Sequence, residues 1–177
     1  MIPDKYARDF ALWPDWAAIN YSASKTLFDT DNATLMFPAA TLGHHALEMY
    51  LKSALIVKGC IVFDPAKLKK LDPSIPLAAR DCAWGHELAK LAKQLHERSP
   101  NLDLSKQLPR AGLIGIDEPI TLEQGLSIFD PFFSELRYPQ KMDRIEGIGF
   151  EHCRLLEVLV RELRHARFEW NLVQPIP

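Results

Sequence analysis

Two adjacent histidines, a glutamate and a lysine lie within the stretch GHHALEMYLKSALIVKG at residues 43–59. In a helix, which turns by about 100° per residue, one arc of the circumference holds four polar side chains, namely His44, His45, Glu48 and Lys52. Histidine and carboxylate at this spacing can bind a metal, although helical metal sites usually take a second such pair from another helix. The order Glu48 then Lys52 also favours an ion pair one turn apart. We therefore favour a polar stripe with a Glu48–Lys52 pair over a metal site, and we expect no metal and no cofactor.

A second group of candidate residues lies in the last stretch with helical periodicity, at about 149–171. A line of charged side chains runs along it, formed by Arg154, Glu157, Arg161 and His165. Such a line can bind phosphates, but the acidic residues within and beside it favour a solvated face with ion pairs. His152 falls on the apolar face, where a histidine satisfied within the core is favoured over a buried functional base.

The composition weighs against several classes of protein. With 177 residues, 47% of them hydrophobic and 25% charged, the chain is typical of one globular domain spanning 1–177. A net charge of -2 weakens the case for a broad basic surface. Three cysteines, Cys60, Cys82 and Cys153, lack CxxC spacing and are odd in number, which favours a reducing cytoplasm over a zinc knuckle or disulfide framework. No window approaches the ~18 apolar residues of a membrane span, so we expect no membrane partner.

Helical periodicity recurs along most of the chain. We predict helices at about 15–29, 38–58, 85–99, 121–138 and 149–171, with loops at 64–76 and at about 99–120. The first helix has an apolar face formed by Trp16, Ile19, Ala23 and Leu27. Gly59 ends the second, and Asp130-Pro131 divides the fourth into two segments. The fold class that follows is all-α, an up-and-down bundle of four to five helices with the second helix at its centre.

The order of these motifs resembles that of the HEPN family of small helical bundles, whose second helix often reads A-x-E-x-x-L-K-A-x-L before a glycine and whose next helix often opens with GH-[DE]-L. The matching residues are Ala46, Leu47, Glu48, Leu51, Lys52, Ala54, Leu55 and Gly59, then Gly85, His86, Glu87 and Leu88, with Arg137, Tyr138 and Pro139 resembling a third recurring element. The resemblance covers about 38–164. It implies a four-to-five-helix bundle that forms a homodimer.

The resemblance implies one of two functions. Many HEPN proteins are metal-independent RNA endonucleases with an Arg-x4–6-His motif on the last helix, and others are non-catalytic modules that bind nucleotides or a nucleotidyltransferase partner. In the last helix, three residues separate Arg161 from His165, and seven separate Arg144 from His152, so neither pair fits. The pair formed by Arg80 and His86 has five intervening residues but lies in the wrong element.

We therefore favour a non-catalytic HEPN-like module that binds a nucleotide, RNA or a nucleotidyltransferase-type partner. The candidate ligand-binding residues are His44, His45, Glu48, Lys52, Arg137 and Tyr138. The alternative is a divergent metal-independent endonuclease of a toxin–antitoxin or defence system, with an antitoxin as partner. Its candidate acid–base residues are Arg80 with His86, or Arg137 with His152.

Overall fold

The computed structural model of the protein describes residues 13–60, 62, 66, 70, 85–109, 118–134 and 147–169, with the backbone alone at 134 and 165–169. Its helices are α1 (Trp13–Phe28), α2 (Ala33–Val57), α3 (Leu88–Arg98), α4 (Leu122–Phe129), the single turn α5 (Pro131–Ser134) and α6 (Phe150–Glu169). The described residues contain no strand, only an isolated bridge between Gln107 and Thr121. The all-α class predicted from the sequence is confirmed. Arg80, Cys82, Arg137, Tyr138 and Pro139 lie outside the described residues.

The central element is α2, which contacts each of the other five helices. It starts at Ala33 and not at the predicted position near Pro38, because the Asn32 side chain accepts a hydrogen bond from Thr34 N at 3.0 Å and caps the helix there. Pro38 therefore lies inside the helix. At the other end, α2 stops before Gly59, whose φ of +81° is the left-handed conformation that glycine adopts readily.

The first helix packs against α2 through a face that differs from the predicted one. Its buried side chains are Ala17, Ser24 and Phe28. Trp16 and Ile19, by contrast, are 52% and 56% exposed. The predicted face and the buried face of α1 both have helical spacing. The small side chains of Ala17 and Ser24 on the buried face let α1 approach α2 closely, and Ser24 Oγ donates to Ala39 O at 2.7 Å. The predicted apolar face was therefore wrong at Trp16 and Ile19.

Close approach also characterises the contact between α2 and α6. A Cβ placed on Gly43 would lie 2.9 Å from Leu156 Cδ2, so α6 packs directly over this glycine. The buried residues of α6 are Cys153, Leu155, Leu156, Leu159, Val160 and Leu163. Lys25 Nζ contacts Glu157 Oε1 at 2.5 Å, which ties α1 to α6 through one of the predicted charged residues.

The third helix starts at Leu88, later than the predicted Gly85, because Gly85 has a φ of +121° and the N-cap residue Glu87 is extended, with a ψ of 108°. Its buried side chains are Leu88, Leu91, Ala92 and Leu95, as its apolar periodicity indicates. The chain that follows packs its leucines inward, and Leu108 N donates to Ile120 O at 2.8 Å. At the next helix, Thr121 and Gln124 form a capping box at the start of α4.

Among the described residues, no helix combines the length and the apolar character that a membrane crossing requires.

Candidate functional site

The carboxylate of Glu48 lies at the centre of a buried polar cluster on α2. Its side chain is only 5% exposed, and Lys52 Nζ donates to Glu48 Oε1 at 2.6 Å. The predicted Glu48–Lys52 ion pair is confirmed. Both partners are buried, so the pair lies inside the molecule and not on a solvated face. A buried pair of this kind is costly to break, because either partner alone would be an uncompensated charge.

His86, which precedes α3, joins the same carboxylate from a different part of the chain. Its Nδ1 lies 3.0 Å from Glu48 Oε1, and because a carboxylate only accepts, Nδ1 carries the hydrogen. The His86 ring stacks on Phe133 of α5 with centroids 3.9 Å apart. The side chain is still about half exposed. One edge of the imidazole is therefore fixed and the other reaches solvent.

The second carboxylate oxygen of Glu48 has different surroundings. Glu48 Oε2 lies 3.7 Å from His44 Nε2 and 3.9 Å from His45 Nδ1, and both distances exceed that of a hydrogen bond. Glu48 Oε2 and His44 Nε2 are buried, and neither has a hydrogen-bond partner among the described residues. His45 is about half exposed, so it lies at the edge of the cluster.

The tautomer of His44 follows from its other ring nitrogen. His44 Nδ1 lies 2.8 Å from the carbonyl oxygen of Phe129, which can only accept, so Nδ1 bears the hydrogen. Burial lowers the pKa of His44 to about 4, against smaller raising effects from the Phe129 carbonyl and Glu48. The ring is therefore neutral at pH 7, and Nε2 presents a lone pair. We call Glu48 Oε2 and His44 Nε2 the acceptor pair.

Glu48 is ionised under the same conditions. Burial by itself would raise the pKa of this carboxyl, but its interactions with His45, Lys52 and His86 outweigh that effect and lower the pKa to about 2. The ammonium of Lys52 balances the charge of the carboxylate. Beside this ion pair, the cluster presents two acceptor atoms that no described donor satisfies.

The junction of α4 and α5 holds this cluster in place. Phe129 supplies the carbonyl that fixes His44, and Phe133 stacks on both His86 and His44, the latter with centroids 5.3 Å apart. Between them, the Asp130 carboxylate accepts from Leu88 N and caps α3 just after His86. Burial raises the pKa of Asp130 to about 6, although hydrogen bonds from the first amides of α3 oppose the rise.

The structure brings together five of the predicted site residues, namely His44, His45, Glu48, Lys52 and His86. His152 belongs to a separate group: its Nδ1 accepts from Gly149 N at 3.2 Å, and its ring meets Phe132 edge-on. Burial lowers the pKa of His152. The remaining candidates, Arg80, Arg137 and Tyr138, lie outside the described residues.

Three residues that build the site, Phe129, Asp130 and Phe133, are not among the site residues predicted from the sequence. Phe129 and Phe133 have no local signal, since aromatic residues at helical spacing usually indicate core. Asp130 is recognisable as a helix cap, and Pro131 does start the second segment as predicted, but the helix that Asp130 caps is α3 and not α5. Within the described part of the chain, no three His, Cys, Asp or Glu side chains are arranged to hold a metal ion.

Comparison with known proteins finds no relative, since no family model, no curated protein and no solved structure matches the chain.

Proposed function

We propose that this protein is a non-catalytic HEPN-like module that binds a nucleotide, free or within RNA, at the Glu48 cluster. The observation that carries the proposal is the acceptor pair. No described donor of the protein pairs with these two buried acceptors, and an acceptor left unpaired costs about 1–3 kcal/mol. The donor must therefore come from outside the described residues, and a ligand that supplies it in place of water has a physical reason to bind at this cluster.

Two further features support binding over catalysis. The Lys52 ammonium is committed to Glu48 at 2.6 Å, so it is not available to stabilise charge on a reacting phosphate. In addition, the sequence lacks an Arg-x4–6-His pair on the last helix, which the resemblance to HEPN endonucleases would require. The half-exposed rings of His45 and His86 provide the contact surface at the edge of the cluster.

Equilibrium titration of the purified protein with nucleoside monophosphates and a short single-stranded RNA tests the proposal. His86→Ala removes a half-exposed ring beside the cluster, and we expect it to weaken binding about tenfold, equivalent to about 1.4 kcal/mol. Lys93→Ala, which changes an exposed side chain on α3, is the control and should bind like the wild type. Absence of binding to every probe, or unchanged binding by His86→Ala, would reject the proposal.

The alternative function is a divergent metal-independent RNA endonuclease, and one observation favours it. His86 directs Nδ1 to the Glu48 carboxylate at 3.0 Å, which is how histidines that act through Nε2 are commonly oriented. Incubation of structured RNA with the protein in excess chelator distinguishes the two functions. Cleavage that His86→Ala abolishes would establish the endonuclease, and intact RNA would remove it.

A further inference from the structure

We propose that the acceptor pair, Glu48 Oε2 with His44 Nε2, recognises the exocyclic amino group of an aromatic heterocycle, such as the 6-amino group of adenine or the 4-amino group of cytosine. The inference rests on the proposed nucleotide binding at this cluster and specifies which part of the ligand enters it. It assigns to Glu48 and His44 the role of selecting amino-bearing bases over bases without that group.

The first step of the argument is the chemistry of the two atoms. His44 Nε2 is a lone-pair acceptor because its ring is neutral and Nδ1 donates to Phe129 O. Glu48 Oε2 is a carboxylate acceptor, and the two atoms are 3.7 Å apart. Only a group with donors can satisfy both, and an amino group on an aromatic ring has two N–H donors and little acceptor character.

The second step concerns charge. A single carboxylate without a partner would favour a cationic ligand such as a guanidinium or an alkylammonium. Here the ammonium of Lys52, 2.6 Å from Glu48 Oε1, already balances the charge of the carboxylate. A cationic ligand at Glu48 would be repelled by Lys52, and this repulsion is strong in a buried site because the dielectric constant is low. The electrostatics therefore favour a neutral donor.

The third step concerns how the acceptor pair is held and reached. The Phe133 ring stacks on both imidazoles, at interplanar angles of 24° to His44 and 21° to His86, and these contacts hold the two rings beside Glu48. His45 is half exposed and lies 3.9 Å from Glu48 Oε2, so it is a solvent-accessible side chain beside the pair. Because both acceptor atoms are buried, the proposal requires a side chain such as His45 to move when the heterocycle binds.

The decisive experiment uses a matched pair of ligands and the unmodified protein. AMP and purine riboside 5′-monophosphate differ only in the 6-amino group, and each is titrated by calorimetry under identical conditions. We expect AMP to bind at least about tenfold more tightly, because purine riboside 5′-monophosphate has no amino group to donate to the two buried acceptors. CMP, which has a 4-amino group, and UMP, which lacks it, form a second pair, and CMP should bind more tightly than UMP.

The outcomes separate this inference from the proposed function. Equal affinities for AMP and purine riboside 5′-monophosphate would overturn the inference while leaving nucleotide binding intact. No binding of any nucleotide would overturn both. Because these titrations need no substitution, they decide the matter even if variants of the buried residues fail to fold.

A variant tests the role of Glu48 directly. Glu48→Gln keeps the shape of the side chain but removes the carboxylate, and we expect it to bind AMP and purine riboside 5′-monophosphate within about threefold of each other. Glu97→Gln, on the exposed side of α3, is the matched control and should retain the wild-type preference. A Glu48→Gln protein with a native circular dichroism spectrum and an undiminished preference for AMP would also refute the inference.

Discussion

Replacement of Glu48 by glutamine is the most informative perturbation of stability, because the amide mimics the protonated carboxyl. The structure places the carboxylate in a buried pair with Lys52 and a hydrogen bond from His86. Glutamine leaves the Lys52 ammonium buried without its counter-charge. We therefore expect the free energy of unfolding to fall substantially at neutral pH.

The magnitude follows from the pKa of Glu48, which drops from 4.5 to about 2 in the folded protein. At 1.36 kcal/mol for each tenfold change in proton affinity, this difference corresponds to about 3 kcal/mol at pH 7. A folded-state pKa below the unfolded value stabilises the protein above pH 4.5, and that stabilisation is lost as the pH falls toward 2. The penalty of Glu48→Gln should therefore shrink to about 1 kcal/mol at pH 3.

Urea unfolding of the wild type and Glu48→Gln at several pH values between 3 and 7 measures this penalty. His44 binds a proton on unfolding in both proteins, and because burial is the main cause of its lowered pKa, most of that contribution cancels in the difference between them. Lys52→Met completes a double-mutant cycle, and the double variant should recover much of the loss because no buried charge remains. A penalty below about 0.5 kcal/mol at pH 7, or one that does not change with pH, would refute the argument.

Three further predictions concern other parts of the fold. Gly43→Ala should lower the stability by about 1 kcal/mol in urea unfolding, because the added methyl group would lie 2.9 Å from Leu156 Cδ2, and this overpacking outweighs the ~1 kcal/mol that alanine gains over glycine inside a helix. The Asp130 carboxyl should titrate near pH 6 by NMR. Because its pKa is higher in the folded protein than in the unfolded chain, its contribution to the free energy of unfolding should increase as the pH falls from 6 toward 3.8, and Asp130→Asn should abolish this increase. Glu157→Gln should cost less than about 1 kcal/mol in thermal unfolding, because its pair with Lys25 is exposed at both ends.

The sequence predicts the helices better than it predicts which faces they bury. In α3, alternation between leucine and lysine or glutamine leaves one possible apolar face, and that face is the buried one. In α1, two faces have apolar residues at helical spacing. The small side chains of Ala17 and Ser24 allow close contact with α2, whereas Trp16 and Ile19 would hold the helices apart. Periodicity does not contain that information, because the choice depends on the surface of the neighbouring helix.

For the candidate site too, the sequence predicts one part and not another. His44, Glu48 and Lys52 are one turn apart on α2, so their proximity can be predicted from helical geometry alone. The burial of these residues cannot be predicted in this way, because it depends on helices from other parts of the chain that pack against α2. His86 joins through a contact across 38 positions, and the Phe129 carbonyl joins across 85. Those long-range contacts turn a polar stripe into an enclosed cluster.

The junction of α4 and α5 has a kinetic consequence. Phe129, Asp130 and Phe133 bring α2, α3 and the cluster together within a few residues, through contacts that span 85 positions to His44 and 42 to Leu88. Contacts of such high sequence separation form only after long stretches of chain have been closed into loops, whereas α1 and α2 can pair through nearby residues. The helical hairpin of α1 and α2 should thus assemble early in folding, and the cluster around Glu48 should acquire its geometry among the last events.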